Sequence, residues 1–335
     1  MQNIIFLQKI FYPDFLFIII LLSVFFKFNT YQFALRNIFL SVVLFCSILL
    51  YPINKIIYIH PNASLKERFC IFNQSIKRPS SKSSLLASLA MMAISSNKIV
   101  RLESGEYDSK NIFQFIYHIW SKKIYMRKIT IPEGWSSFKI CQTLYENQYM
   151  AGEIGEIPND GTISPGTYLY ARNINRNQII QKMQNDFVKM TTEIWSQNEK
   201  KYWNNINDWI IFSSIVQKES KSNNEMHRIA TIFRNRLDQK MKLDADSTAV
   251  YGITKGETHI SRVIHDDIKH ISPYNTYKFK GLPIGSICNP GKHALIASIN
   301  PISSKELFFH HREENITVSE KFSDHIDSIN RVQKK

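Results

Sequence analysis

One glutamate, Glu219, has the setting of a catalytic acid, because an apolar helical stripe precedes it in the sequence. The spacing predicts a helix that begins with Asp208 as its N-cap residue. Phe212, Ile215 and Glu219 then lie on one face of that helix, since residues three and four apart are neighbours. Burial among apolar side chains disfavours the charged form of a carboxyl group and raises its pKa. A carboxyl group that keeps its proton near neutral pH can act as a general acid.

A second interpretation of Glu219 is an exposed carboxylate at a helix end. The helix would stop at Ser220, and Glu219 would lie in water beside Lys218 and Lys221. Glutamate is rarely buried without a partner, so the exposed setting is the commoner one for a glutamate taken at random. The choice between the two interpretations depends on the rest of the chain.

Two later segments would have to position Glu219. Residues 223–240 predict a helix that begins at an asparagine cap and buries one apolar stripe. The stripe consists of Met226, Ile229, Ala230, Phe233 and Leu237. The arginines of this helix are expected in solvent, and they are Arg228, Arg234 and Arg236. Residues 241–300 are turn-rich until a final helix, "KHALIASINP", and such a stretch inside a domain is often a binding loop.

Residues 56–200 predict alternating helices and strands. Apolar periods of two and of three to four residues distinguish the two kinds of element. The predicted elements are helix 82–95, strand 99–108 with a turn at Gly105, helix 112–123, strand 124–134 and helix 135–147. Residues 148–175 are turn-rich, and residues 176–200 predict a charged helix. This order is typical of an α+β protein.

The N-terminal segment predicts a membrane anchor. Residues 37–54 carry no charge and are about long enough to cross the roughly 30 Å core of a bilayer. Lys27 and Arg36 precede this run, and positive flanks stay in the cytoplasm. The chain after about residue 55 is therefore predicted to be extracytoplasmic. An earlier apolar run, residues 15–26, is shorter and is interpreted as an interfacial or partly inserted segment, with a second span as the alternative.

The chain length and the net charge are compatible with several classes of binding partner. The 335 residues suffice for two ordinary domains, and the net charge of +14 suits nucleic acid, anionic lipid or another anionic polymer. The sequence has no arginine-rich arm, zinc-finger spacing or aromatic RNA-binding motif, which makes nucleic acid the weaker interpretation.

Metal and disulfide chemistry are not expected. The cysteines are far apart in the sequence and form no CxxC pair, so neither a zinc site nor an obligatory disulfide is predicted. These cysteines are Cys46, Cys70, Cys141 and Cys288. His310 and His311 are adjacent in a predicted strand and would point to opposite sides, which argues against a metal site.

Five sequence blocks, in order, resemble the endolytic murein transglycosylases of the MltG type, also called YceG-like proteins. The blocks are "ITIPEGW" (129–135), "SSIVQKES" (213–220), "IATIFRNRL" (229–237), "SPYNTYKFKGLP" (272–283) and "ICNPG...ALIASINP" (287–301). The resemblance covers the chain from about residue 56 to about residue 328. It implies a membrane anchor in residues 1–54 with the span at 37–54, a small LysM-like β/α subdomain at 55–147 and a mixed α/β catalytic domain at 148–330.

The resemblance also assigns site residues. Glu219 matches the catalytic glutamate, and Ser220 follows it as a hydroxyl residue does in many lytic enzymes. The family commonly has Glu-Lys-Glu where this chain has Gln217, Lys218 and Glu219, so the first carboxylate is missing. The substrate-binding residues implied by the matched blocks are Ser220, Asp246, Tyr274, Asn275 and Thr276.

Two of these substrate assignments have structural alternatives, and one neighbour departs from the family. Asp246 could instead brace its loop, and Asn275 follows Pro273 in a sequence that favours a turn. Ser247 stands where the family's Leu-Gln-Thr-Asp-Pro-Thr stretch has proline.

The implied reaction is lytic cleavage of peptidoglycan without a cofactor. One carboxyl group protonates the oxygen between N-acetylmuramic acid and N-acetylglucosamine and then takes the proton of the muramic C6 hydroxyl. The product has a 1,6-anhydro end, and the glycan strand is cut internally. The resemblance further implies location in the bacterial inner membrane with the catalytic domain outside the cytoplasm. Peptidoglycan synthases of elongation or division are the implied partners, with no nucleic acid.

Three alternatives remain at the level of sequence. A hydrolase would need a second carboxylate, which Asp244 or Asp246 could supply. A catalytically inactive, wall-binding scaffold is suggested by Gln217, where the family has a carboxylate. A membrane-tethered nucleic-acid binder has only the net charge in its favour.

Overall fold

The computed structural model describes residues 37–39, 41–42, 46, 49–53, 56–60, 62–75, 104–198, 202–258, 264–312 and 315–333. The apolar segment 15–26, the predicted helix 82–95 and part of the predicted anchor at 37–54 lie outside these residues. Within the described ranges, no helix combines the length and the apolar character that crossing a bilayer requires.

The chain divides into two compact units, Met1–Arg127 and Lys128–Lys335. Helices and strands occur in both units, which confirms the predicted mixed α/β character. The predicted division after residues 54 and 147 stays a prediction, and residue 147 lies inside the second unit.

The first unit is built around an antiparallel strand pair. Strand β1 (Ile56–Ile59) pairs with β2 (Gly105–Asp108), with Ile59 opposite Gly105. Gly105 therefore begins a strand and does not form the predicted turn. Helices α1 (Leu65–Ser75) and α2 (Ile112–Trp120) pack against this strand pair. The buried core comprises Ile53, Ile57, Ile59, Phe72, Tyr107, Ile112, Phe115 and Ile119.

The second unit begins with short strands and one helix. Strand β3 (Arg127–Ile131) pairs with β5 (Gly166–Tyr170), and helix α3 (Ser137–Tyr145) follows β3. Strand β4 (Met150–Ala151) runs parallel to β6 (Ile174–Asn175). The Ser136 hydroxyl caps α3 by accepting from the Lys139 amide. Apolar residues of these elements form their own core.

Four helices form the layer that carries Glu219. They are α4 (Arg176–Gln197), α5 (Ile206–Glu219), α6 (Asn223–Asp238) and α9 (Lys292–Ile299), and α9 packs against the other three. Two indoles attach the start of α5 to α9. Trp203 Nε1 donates to the Ser298 carbonyl at 2.7 Å, and Trp209 Nε1 donates to the Leu295 carbonyl at 3.0 Å.

The predicted start of α5 is wrong by one turn. Asn205 is the N-cap, and its Oδ1 accepts from the Asp208 amide at 2.8 Å. Asp208 lies within the first turn, where its negative charge complements the helix dipole. Asparagine and aspartate are similarly good N-caps, so composition alone does not choose between them.

The turn-rich segment after α6 contains two helices that the sequence analysis did not predict. They are α7 (Asp246–Thr254) and α8 (His265–Lys269). The chain then ends its described part with hairpin β7 (Phe308–Arg312) and β8 (Asn315–Ser319), followed by α10 (Phe322–Gln333).

Arg236 of α6 is buried, which corrects its predicted exposure. Its Nε donates to the Leu307 carbonyl at 2.6 Å, and its Nη1 donates to the Leu243 carbonyl at 2.7 Å. Asp244 adds an ion pair at 3.7 Å. The guanidinium group thus joins α6 to the chain on both sides of the α7–α8 segment. Its hydrogen bonds to these partners compensate for the loss of contact with water.

Replacing Arg236 by alanine should destabilise the second unit by about 2–4 kcal/mol, because two carbonyl groups lose their buried donor. The matched control is Arg228→Ala on the same helix. Arg228 is half exposed and lies 3.8 Å from Glu306, so its loss should cost less than about 1 kcal/mol. Urea unfolding curves of the two variants measure the difference, and equal curves would contradict the structural role of Arg236.

Candidate active site

Glu219 is the last residue of α5, and its side chain is partly buried. The helix stops there because Ser220 is extended, and the Ser220 hydroxyl donates back to the Val216 carbonyl at 2.7 Å. The preceding residues Phe212, Ile215 and Val216 are completely buried. The packed helix therefore fixes the backbone from which the Glu219 carboxyl group projects.

The Glu219 carboxyl group contacts the first turn of α7. Ser247 donates to Oε1 twice, through its hydroxyl at 2.6 Å and through its backbone amide at 3.1 Å. Ser247 is the second residue of α7, so the positive end of that helix dipole faces the carboxyl group. In the sequence, Ser247 is recognisable only as a departure from the family pattern.

Burial raises the pKa of Glu219, and this is the largest influence on it. The hydroxyl and amide of Ser247 act against burial and lower the pKa, because they stabilise the charged form. The negative charge of Asp246 raises it further, and His311 lowers it. The net direction is upward, so the carboxyl group holds its proton to a higher pH than an exposed glutamate does.

The carboxyl group of Glu225 is also buried and lies next to the C-terminal end of α5. His311 Nε2 lies 3.0 Å from the Glu219 carbonyl oxygen, which can only accept, so Nε2 carries hydrogen. His311 Nδ1 is 3.8 Å from Glu225 Oε2, and Glu225 is only 5% exposed. Glu225 Oε2 also accepts from the Lys221 amide at 3.0 Å. His311 therefore attaches the hairpin β7–β8 to the backbone of Glu219.

Asp246 is exposed and braces the neighbouring loop. Tyr277 donates its hydroxyl to Asp246 Oδ1 at 2.6 Å, and burial is the largest cause that raises the pKa of Tyr277. Lys242 Nζ donates to the Tyr277 carbonyl. This is the bracing role that the sequence analysis left open for Asp246, and direct contact with substrate stays a prediction.

Asn275 and Thr276 are buried and use their side chains within the protein. Asn275 Nδ2 donates to the carbonyls of Ile268 and His270, and its Oδ1 accepts from the Tyr277 amide. Thr276 Oγ1 lies 2.8 Å from Thr248 Oγ1 of α7. The geometry favours the turn-forming role for this pair, and their assignment to substrate stays a prediction.

Tyr274 differs from its two neighbours because part of its ring is accessible. It lines a cavity of about 490 Å³ together with Tyr251, Lys255 and Asp160. Lys255 Nζ lies 4.1 Å from the centroid of the Tyr274 ring. Tyr251 donates its hydroxyl to Asp160 Oδ2 at 2.6 Å. Burial raises the pKa of Asp160, while its hydrogen bonds from Tyr251 and Ser137 lower it.

Gln217, which stands where the family has a carboxylate, has a structural partner. Its Oε1 accepts from the Gly291 amide at 2.9 Å, at the N-cap position of α9. A Cβ atom at Gly291 would lie 1.9 Å from Cδ of Glu133, which leaves no room for a larger residue unless Glu133 moves. The amide oxygen of Gln217 therefore supplies the acceptor that this close-packed junction needs.

Asn289 is a fully buried residue that joins three segments of the second unit. Its Oδ1 accepts from three consecutive amides, those of Gly161, Thr162 and Ile163, at 2.9–3.1 Å. Its Nδ2 donates to the Trp135 carbonyl and the Ser137 hydroxyl, both at 3.1 Å. The block containing Asn289 was recognised in the sequence, but no pattern indicated these partners.

The second unit is thus a mixed α/β domain in which Glu219, at the end of a packed helix, accepts two hydrogen bonds from Ser247. The model of the YceG-like family matches residues 58–335. The chain therefore belongs to the YceG-like family, which confirms the resemblance found in its sequence.

Curated relatives share part of the chain. It is 32% identical over 156 residues to an endolytic murein transglycosylase of Bacillus subtilis (strain 168), which covers 45% of this chain and 41% of the relative. It is 29% identical over 152 residues to an endolytic murein transglycosylase of Streptococcus pneumoniae (serotype 2, strain D39), which covers 45% of this chain and 27% of the relative. The chain thus spans less than half the length of these relatives.

A solved structure shares the fold. It is a YceG-like protein of Listeria monocytogenes, with a TM-score of 0.50 and 21% sequence identity. The superposition covers 82% of this chain and 98% of the other. At this identity the likeness shows the fold alone.

Proposed function

We propose that this protein is a peptidoglycan lytic transglycosylase that cleaves nascent glycan strands internally and so limits their length. The observation that carries the proposal is the setting of Glu219 at the end of α5. Its carboxyl group is desolvated and held by Ser247, and burial raises its pKa. The names of the curated relatives support the same activity.

The proposed reaction uses Glu219 twice. First, its carboxyl group gives a proton to the glycosidic oxygen, and the bond from that oxygen to muramic C1 breaks as N-acetylglucosamine leaves with a free hydroxyl. The Glu219 carboxylate then takes the proton of the muramic C6 hydroxyl, whose oxygen forms a bond to C1. The 1,6-anhydro ring closes, Glu219 regains its proton, and water takes no part.

One carboxyl group suffices for this reaction, whereas most glycoside hydrolases use two. The two candidates for a second catalytic carboxylate both have structural partners. Asp246 accepts the Tyr277 hydroxyl, and Asp244 forms an ion pair with Arg236. These contacts support lytic over hydrolytic cleavage.

A role in substrate binding is proposed for the five residues that the resemblance assigns, directly for Ser220, Asp246 and Tyr274. Tyr274 is partly exposed, and its aromatic ring is a group on which a sugar can stack. Ser220 and Asp246 are adjacent to Glu219 and Ser247 in the chain. For Asn275 and Thr276 the proposal is indirect, because they fix the loop that presents Tyr274.

The wider organisation is proposed from sequence and family. Residues 37–54 form the membrane anchor, residues 55–147 a LysM-like glycan-binding subdomain and residues 148–330 the catalytic domain. The antiparallel pair β1–β2, with α1 between its strands in sequence, supports the LysM-like assignment. A single-pass protein of the inner membrane, with its catalytic domain outside the cytoplasm, would work beside peptidoglycan synthases.

The test is a digest of purified peptidoglycan with the detergent-solubilised full chain, followed by mass spectrometry of the muramic ends. Anhydro ends, lighter by one water than reducing ends, are the expected product. Reducing ends would instead indicate a hydrolase and direct attention to Asp244 and Asp246. Bound but uncut glycan would indicate the inactive scaffold.

The rate of cleavage should fall as pH rises through the raised pKa of Glu219. Below that pKa the acid is protonated and can start the reaction, and above it the proton is lost. The measurement is kcat/KM for release of anhydro ends as a function of pH, which reports the free enzyme. A rate that increases steadily with pH would contradict Glu219 as the acid.

A further inference from the structure

The two oxygens of the Glu219 carboxyl group are not equivalent. Both hydrogen bonds from Ser247 end on Oε1, at 2.6 Å from the hydroxyl and 3.1 Å from the backbone amide. An amide N–H can only donate, so Oε1 must offer it a lone pair in every protonation state. The hydroxyl oxygen of a carboxylic acid is a poorer acceptor than its carbonyl oxygen. A proton on Glu219 is therefore best accommodated on Oε2.

Ser247 can hold Oε1 in this way because of its place in α7. It is the second residue of the helix, where the backbone amide has no partner inside the helix and points outward. The same position brings the positive end of the helix dipole to the carboxyl group. The proline that the family has at this position carries neither an amide hydrogen nor a hydroxyl group, so it could make neither bond.

We infer that Ser247 is the positioning residue of the catalytic acid, fixing Oε1 as an acceptor so that Oε2 transfers the proton. The inference deepens the proposed function and rests on it for the role of Glu219 in cleavage. Ser247 acts through Glu219 and is not itself a group that reacts.

Other titratable groups also act on Glu219, and the test must separate the effect of Ser247 from theirs. Asp246 lies on the same helix as Ser247, His311 on β7, Arg236 on α6 and Tyr277 in the loop after α8. Substituting Ser247 by neutral residues leaves all four in place. A change in the titration of Glu219 then reports the lost hydrogen bonds.

The experiment compares Ser247→Ala, Ser247→Pro and Ser247→Thr in the full chain. Alanine removes the hydroxyl, proline removes both donors, and threonine keeps both. Because the lost bonds favour the charged form, the alkaline limb of the kcat/KM profile should move to higher pH in Ser247→Ala and further in Ser247→Pro. We expect kcat at the optimum to fall about tenfold in Ser247→Ala with KM little changed, and Ser247→Thr to restore it. The control is Thr254→Ala, which removes a hydroxyl at the other end of α7.

A carbon-13 NMR titration of the Glu219 carboxyl group provides a readout without catalysis. If the resonance titrates at higher pH in Ser247→Ala than in wild type, Ser247 holds the carboxyl group whatever reaction it serves. Identical titrations in Ser247→Ala and Thr254→Ala would overturn the inference even if wild type makes anhydro ends. An NMR shift without any anhydro product would instead count against the proposed function. Because Ser247→Ala alone decides the titration, the test does not depend on whether Ser247→Pro folds.

Discussion

Replacing Glu219 by glutamine should lower the rate of anhydro-end formation by about a thousandfold or more, since in the proposed reaction one side chain supplies both the acid and the base. Glutamine matches glutamate in shape, and its carbonyl oxygen can still accept both donors of Ser247. The variant should therefore fold normally and bind glycan strands as wild type does. Its amide cannot release or take up a proton in the reaction.

Three measurements test this prediction. Mass spectrometry counts anhydro ends over time, sedimentation with insoluble peptidoglycan measures binding, and urea unfolding checks stability. Glu193→Gln is the matched control, because Glu193 is exposed on α4. It should keep the full rate. Cleavage at the wild-type rate by Glu219→Gln, with the same anhydro product, would show that another group is the acid.

Replacing Asn289 by alanine should destabilise the second unit by about 4–5 kcal/mol. Its Oδ1 satisfies three amides of the turn at 161–163, and its Nδ2 satisfies an acceptor on Trp135. Each buried group left without a partner costs about 1–3 kcal/mol, and the costs are partly shared. A loss of this size approaches the whole stability of many domains.

Urea unfolding followed by tryptophan fluorescence suits this test, because four of the five tryptophans belong to the second unit. Asn300→Ala is the control, since Asn300 is exposed at the end of α9 and should change stability little. A loss below about 1 kcal/mol in Asn289→Ala would contradict the role of Asn289. Asn289→Asp adds a charge 3.4 Å from Asp160 Oδ1, so that variant should lose stability as pH rises and regain part of it in acid.

The sequence predicted those helices whose apolar pattern lies within the helix itself. The stripe of Met226, Ile229 and Phe233 predicted α6 to within two residues. The spacing of α5 placed Glu219 on its apolar face, and the helix end at Glu219 matches the alternative interpretation. The sequence did not predict α7, because the residues that it buries, Thr248, Ala249 and Gly252, form no apolar stripe and its N-cap is an alanine.

The contacts that define the site depend on residues far apart in the chain. Ser247 is 28 positions from Glu219, and His311 is 92 positions from it. Helical periodicity carries no information about such pairs. The burial of Arg236 could not be predicted for the same reason. An arginine is normally exposed to water, and here the carbonyl groups of Leu243 and Leu307 accept its hydrogen bonds inside the protein.

The contact between His311 and the Glu219 carbonyl joins two residues that are synthesised at different times. Protein synthesis delivers Glu219 to the growing chain long before His311, and domains fold as their residues emerge. The end of α5 therefore receives this hydrogen bond only after the hairpin β7–β8 has been synthesised. A nascent chain that stops short of Phe308 would carry the acid without this support. The backbone support that His311 gives to Glu219 therefore forms only after α5 and the hairpin have both been synthesised.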